Sequence, residues 1–315
     1  MIESGEGPET CNTYNMLRLT ERLFRAEPSA EYADFYERAL FNHILSTQHP
    51  EHGGFVYFTP IRPRHYRVYS RPSQGFWCCV GTGIENHGKY GQFLYARVGD
   101  ELFVNLFIAS ALHWPERRLA LRQETSFPDE PRTRLVLALE RPQRFTLRVR
   151  HPAWVAARGF QLRVNGQPWR DSSQPSSYAA ITREWRDGDR IEIDLPMRTT
   201  IERLPDKSNY VAILHGPIVL AAKTGTEQLD GLIAGDGRMA HVSPGPDLPL
   251  DEAPMLVGDV ATLADHVRPA AGRPMTFTAS ELIRPAQARN LELVPFFRVH
   301  DSRYMIYWRV VAPGH

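Results

Sequence analysis

The chain has 315 residues, enough for one large domain or two ordinary ones. Hydrophobic residues make up 42% and charged residues 23%, and 37 Lys+Arg balance 36 Asp+Glu, so nothing in the charge points to nucleic acid or an anionic membrane as partner. No apolar run approaches the ~20 residues of a membrane span. Met1-Ile2-Glu3-Ser4-Gly5-Glu6-Gly7 lacks the basic and apolar parts of a signal peptide, which leaves cytoplasmic and periplasmic or secreted locations both open.

Residues 1–98 read as helical. Asn12 or Thr13 is placed to cap a helix through Tyr14, Leu17, Leu23 and Phe24. Ser29 is placed to cap a second, whose apolar stripe is Tyr32, Phe35, Tyr36, Ala39, Leu40 and Ile44. His49-Pro50-Glu51-His52-Gly53-Gly54 is a turn-rich loop, and Phe55–Phe58 and Tyr66–Tyr69 read as short strands or extended lid segments. Phe76-Trp77-Cys78-Cys79 then leads through Gly81-Thr82-Gly83 into a third helix running to Leu94.

From about residue 99 the period changes to two. Strands are expected at Leu102–Phe107, Leu119–Leu121, Arg134–Leu137, Thr146–Val149 and Arg190–Ile193, with hairpin turns at Asn165-Gly166 and Asp187-Gly188. Arg144, Arg148 and Arg150 alternate with apolar residues and read as a solvated sheet face. Tyr210–Ala222 reads as strand, bend and strand, residues 223–275 as an irregular excursion, and Tyr304–Val310 as a final strand. The fold class is therefore α+β: a helical portion over 1–98, followed by an antiparallel β-sandwich or jelly-roll region over 99–315.

The chain has three cysteines, Cys11, Cys78 and Cys79, an odd and low count that argues against a disulfide framework. With Glu9 they make a set of one carboxylate and three thiols, donors that suit zinc better than magnesium, calcium or manganese. Spacing alone leaves two readings open, a metal site or free cysteines packed as small apolar residues. Histidines at 43, 49, 52, 65 and 87 read as surface or structural residues rather than sugar-binding ones. Phe76 and Trp77 suit a sugar pocket or a core equally. Gly81-Thr82-Gly83 lacks the full glycine pattern of a phosphate loop.

The segments Glu6-Gly7-Pro8-Glu9-Thr10-Cys11-Asn12-Thr13-Tyr14-Asn15-Met16-Leu17 and Phe76-Trp77-Cys78-Cys79-Val80-Gly81-Thr82-Gly83-Ile84-Glu85 resemble family 127 and 146 glycoside hydrolases, the β-L-arabinofuranosidases. Tyr36–His43 and Arg303–Trp308 agree with it. The resemblance implies a retaining glycosidase acting on arabinose-containing plant glycans. It implies Zn2+ held by Glu9, Cys11, Cys78 and Cys79, Cys78 as nucleophile, and Glu37 on the sugar hydroxyls. It also implies that residues 1–98 are the C-terminal portion of an (α/α)6 barrel, with the acid/base glutamate upstream of Glu9. Glu3 and Glu6 do not match that position. A barrel portion standing alone would leave Tyr32, Phe35, Tyr36 and Leu40 partly exposed and the isolated chain poorly soluble or inactive. A non-catalytic β-sandwich module with a structural zinc site is the competing expectation.

Overall fold

The computed structural model describes residues 2–313. They form two compact units that interleave along the chain. One contains the N-terminal segment to Arg18, Arg38–Gly88, and the chain from Thr199 on; the other contains Leu19–Glu37 and Lys89–Arg198.

Three α-helices occur among the described residues: α1 (Thr10–Ala26), α2 (Ala30–Asn42) and α3 (Cys78–Gly88). Ser29 caps α2 as expected, its hydroxyl accepting from the Glu31 amide at 3.3 Å. Helix α1 starts before the expected Asn12 or Thr13 cap, at Thr10. The reason is tertiary: the Thr10 amide donates to the Tyr57 carbonyl at 3.0 Å and the Cys11 amide to Cys79 Sγ at 3.3 Å, so the first free donors are met without a side-chain cap. The third helix stops at Gly88, short of Leu94, and a 3-10 turn Tyr90–Phe93 follows. Tyr36 and Leu40 of α2 are buried after all, while Phe35 is exposed. Tyr36 packs on Phe93 and Phe24 packs edge-on to Phe93 and Phe103, covering Tyr36 within the unit that holds Leu19–Glu37.

In the same unit lie ten strands: β1 (Tyr95–Val98), β2 (Glu101–Val104), β3 (Ser110–Trp114), β4 (Leu119–Thr125), β5 (Arg132–Leu139), β6 (Gln143–His151), β7 (Gln161–Val164), β8 (Gln167–Trp169), β9 (Ser177–Trp185) and β10 (Arg190–Asp194). They make two sheets, ordered β1-β2-β6-β9 and β3-β4-β5-β10-β7-β8. One apolar cluster takes side chains from both, including Val104, Leu147, Ile181 and Trp185 from the first and Leu121, Leu135, Ile191 and Ile193 from the second. This is a sandwich: each strand buries alternate residues against the facing sheet. Asn165-Gly166 closes the β7–β8 hairpin with both residues at positive φ. Asp187-Gly188 does not make a hairpin. The strands on either side pair elsewhere, β9 with β6 and β10 with β5 and β7, so this turn carries the chain from one sheet to the other.

In the other unit, β11 (Thr199–Arg203), β12 (Tyr210–His215) and β13 (Ile218–Gly225) are the longest members of a ten-stranded sheet. The expected strand, bend and strand over Tyr210–Ala222 is present, with Leu214 opposite Val219. The expected final strand is two, Arg303–Met305 and Trp308–Val311, which pair with β13 and β12 respectively. Phe55–Phe58 and Tyr66–Tyr69 form isolated bridges rather than full strands, and both are buried.

Candidate functional site

Two helix starts and one extended segment build the site, all within one compact unit. The segment through Tyr57 and Phe58 pairs with the residues just ahead of α1: Glu9 bridges Phe58, and the Thr59 amide donates to the Pro8 carbonyl at 3.1 Å. Thr10 Oγ1 donates to the Val56 carbonyl at 2.8 Å, tying the first turn of α1 down again. Cys11 therefore sits in the first turn of α1, and Cys78 and Cys79 in the first turn of α3.

Glu9, Cys11, Cys78 and Cys79 each present a ligand atom, and these four atoms lie within 4.8 Å of one another. Cys11 Sγ is 3.6 Å from Cys78 Sγ and 3.4 Å from Glu9 Oε2. The sulfurs are too far apart for a disulfide, whose S–S bond is ~2.05 Å, and all three thiols are free. Burial is graded: Cys79 is fully covered, Cys11 half-buried and Cys78 exposed. The group could hold a metal ion, and Cys78 is its most exposed thiol.

The electrostatics separate the three thiols. Burial pushes the Cys11 thiol up to about 11 and the Cys79 thiol up as well. Burial also acts on Cys78, but hydrogen bonds from Tyr57, Cys11 and Cys79 more than offset it and leave this thiol below its ordinary value. The start of a helix favours a thiolate in the same direction.

Two contributors were not legible in the sequence. The Tyr57 hydroxyl lies 2.9 Å from Cys78 Sγ. Arg238, in a 3-10 turn Arg238–His241, donates from Nε to the Tyr57 hydroxyl at 2.8 Å and from Nη2 to Glu9 Oε1 at 2.7 Å. Burial raises the Tyr57 hydroxyl above the ordinary phenol value. A buried aromatic in the run Phe55–Phe58 carries no local mark of function, and Arg238 lies in the irregular excursion.

Glu37 belongs to the other unit and is fully buried. Its carboxylate pairs with Arg150 and accepts from Trp154 Nε1 at 2.8 Å. Arg150 is thus not on a solvated face: it is fully buried and also pairs with Asp34. His49 is structural, bonded to Asp301 at 2.8 Å and stacked on His52. Phe76 and Trp77 are exposed, so neither is a core residue; the Trp77 indole donates to the Asp236 carbonyl at 2.8 Å. Gly81-Thr82-Gly83 lies inside α3 rather than ahead of it.

Residues 2–92 match a family model described as the β-L-arabinofuranosidase GH127 catalytic domain, and residues 101–197 match the GH127 middle domain. Residues 200–310 match a domain of unknown function. A non-reducing end β-L-arabinofuranosidase from Bifidobacterium longum subsp. longum is 25% identical over 320 residues, covering 92% of this chain and 46% of its own. Among solved structures, a glycoside hydrolase aligns with a TM-score of 0.71 at 20% identity, over 96% of this chain and 52% of that one. A GH127 β-L-arabinofuranosidase from Geobacillus stearothermophilus T6 aligns with a TM-score of 0.70 at 20% identity, over 99% and 51%. A GH127 β-arabinofuranosidase aligns at 0.69 and 22% identity, over 96% and 49%. The chain spans about half the length of these relatives. Two domain models of one family, covering more than half of the chain between them and in the order helices then sandwich, establish that the chain belongs to glycoside hydrolase family 127.

Proposed function

We propose that the chain carries the nucleophile side of a retaining glycosidase acting on β-L-arabinofuranosides or related arabinose-containing glycans. Cys78 is the nucleophile, and Glu9, Cys11, Cys78 and Cys79 hold Zn2+. The observation that carries the reading is the convergence of three thiols and one carboxylate at two helix starts, in a chain of this family. The donor set fits the metal: thiolates select zinc over oxygen-seeking cations. Zinc–sulfur bonds of ~2.3 Å at tetrahedral angles set sulfurs ~3.8 Å apart, close to the 3.6 Å between Cys11 and Cys78. When bound, zinc holds its thiols deprotonated at neutral pH.

The chain's own residues then divide the work. Cys78 is the exposed thiol, so its sulfur can reach an anomeric carbon. The C–S bond forms as the glycosidic C–O bond breaks, and the departing oxygen takes a proton from a general acid, which the family pattern places upstream of Glu9. Water then displaces the sulfur, and two inversions leave the configuration retained. Tyr57 steadies the sulfur through its hydroxyl. In this reading α1–α3 belong to a partial (α/α)6 barrel over 1–98, ahead of the β-sandwich region over 99–315. Glu37, which the resemblance sets on the sugar hydroxyls, has a fully buried carboxylate held by Arg150 and Trp154 in the other unit, and no step here is routed through it.

The test uses an aryl β-L-arabinofuranoside, whose good leaving group departs with little help from an acid. We expect about one zinc per chain by elemental analysis, thiols that titrate only after chelation, and a single pentosyl adduct on Cys78 by mass spectrometry that Cys78→Ser abolishes. Zinc without any adduct would reduce the site to a structural one. Absence of zinc, with three reactive thiols, would sink the reading.

A further inference from the structure

The region 200–310 matches a family model described as a domain of unknown function, and one of its turns reaches the cysteine group. That turn is fixed beside the group from several sides. The Asp236 carbonyl accepts from Trp77, next to Cys78. Val242 packs with Tyr57, Phe58 and Cys79. His241 is buried, with its ring 5.6 Å from that of Tyr57. Between these anchors, the Arg238 guanidinium lies 5.4 Å from the Tyr57 ring centroid and 5.8 Å from that of Phe58.

An arginine has donors only, in a rigid fork. When Nε donates to the Tyr57 oxygen, that oxygen is an acceptor, and its single hydrogen is left for Cys78 Sγ, 2.9 Å away. When Nη2 holds Glu9 Oε1, the other carboxylate oxygen is left facing Cys11 Sγ, 3.4 Å away. One side chain thereby sets two orientations: the hydroxyl hydrogen toward the nucleophile and the carboxylate oxygen toward the sulfurs. Without it, the hydroxyl rotor is free to turn its hydrogen away and the carboxylate is free to swing.

We propose that Arg238 is a positioning residue, by which the C-terminal region orders the cysteine group through Tyr57 and Glu9. The proposal rests on the hydrolase and zinc reading above for its kinetic arm only. Its test on the full chain compares Arg238→Met, Arg238→Lys, Tyr57→Phe and the Arg238→Met/Tyr57→Phe double variant. The first readout is zinc retention against a competing chelator, which needs no substrate. Groups that orient metal ligands typically contribute 10–100-fold to metal affinity or activity. We expect Arg238→Met to weaken zinc retention by at least ~10-fold. Arg238→Lys should recover part of this, because a single ammonium cannot span both oxygens.

The second readout is hydrolysis of an aryl arabinofuranoside. Here kcat should fall by ~10-fold or more in Arg238→Met with KM within about twofold. Added to Tyr57→Phe, the same change should lower kcat by less than it does in the parent, since the path through the hydroxyl is gone while the hold on Glu9 remains to be lost. A melting temperature near that of the parent is expected, because the Arg238 side chain is 46% exposed. Zinc retention and kcat both unchanged in Arg238→Met would overturn the proposal. So would losses that add fully in the double variant together with a lowered melting temperature. If the parent chain hydrolyses no arabinofuranoside, the kinetic arm falls away and zinc retention alone decides for or against Arg238.

Discussion

Arg150, fully buried, shares its guanidinium among Glu37, Asp34 and the Asn105 carbonyl, all within one unit. Removing one partner of such a pair leaves an uncompensated buried charge, at a cost of about 3–5 kcal/mol. We expect Arg150→Met to lose about that much by urea unfolding. Arg150→Met with Glu37→Leu should lose less than the two single losses added together. A loss under ~1 kcal/mol for Arg150→Met would mean that water reaches the pair. The sequence hid this. Arg144, Arg148 and Arg150 do share a face of β6, but that face is exposed only at Arg144 and is covered by the time it reaches Arg150. Periodicity shows which residues lie together; it does not show what lies on top of them.

At the scale of elements, the site depends on how the residues before α1 meet the segment through Tyr57. Gly7 is the tight point, at φ +75° and with no space for a side chain: an added Cβ would lie 2.1 Å from the Thr59 carbonyl oxygen. Gly7→Ala must shift the backbone two residues ahead of Glu9. The expected outcome is weakened zinc retention by a chain that still shows its strand signal in far-UV circular dichroism; retention equal to the parent would count against it. Much at this scale was legible. Helices around Leu17 and Tyr36, the Ser29 cap and the β12–β13 pair follow from local pattern, and the four ligand candidates follow from the motif words that carry them. What was not legible came from elsewhere in the chain. The start of α1 is fixed by Tyr57 and Cys79, and the break between the last two strands is fixed by their pairing with different neighbours. Tyr57 and Arg238 meet across 181 residues, a separation no local pattern reports.

On the scale of the whole molecule, acid is the expected weakness. Burial lowers His43, His65, His87 and His300 to about 4 each, all in the unit that carries the cysteine group. An unfolded histidine titrates near ~6.5, so between those values the unfolded chain binds more protons than the folded one. Stability is then present above the unfolded value and lost as pH falls from about 6.5 toward about 4. Urea midpoints of the chelated protein should drop between pH 7 and pH 5, chelation removing the thiolates' own response. His300→Gln should narrow the drop. A midpoint that does not move with pH would contradict the assignment.

The segment carrying Tyr57 is locked by the far end of the chain. The Arg64 amide donates to the Tyr304 carbonyl and the Tyr304 amide to the His65 carbonyl, each at 2.9 Å, and buried Arg67 donates to the Val299 carbonyl across 232 residues. For the ribosome this is a matter of timing. At ~5–20 residues per second, the interval between Arg67 and Val299 is on the order of ten seconds or more. All three thiols have been synthesised well before the strand that seals their surroundings. A nascent chain therefore passes through a period in which its thiols are open to oxidants and to competing metals, and on the zinc reading proposed above lasting capture of the ion is a late event. On that reading, a chain ended before Val299 would keep all four candidate ligands and still give up zinc readily to a chelator.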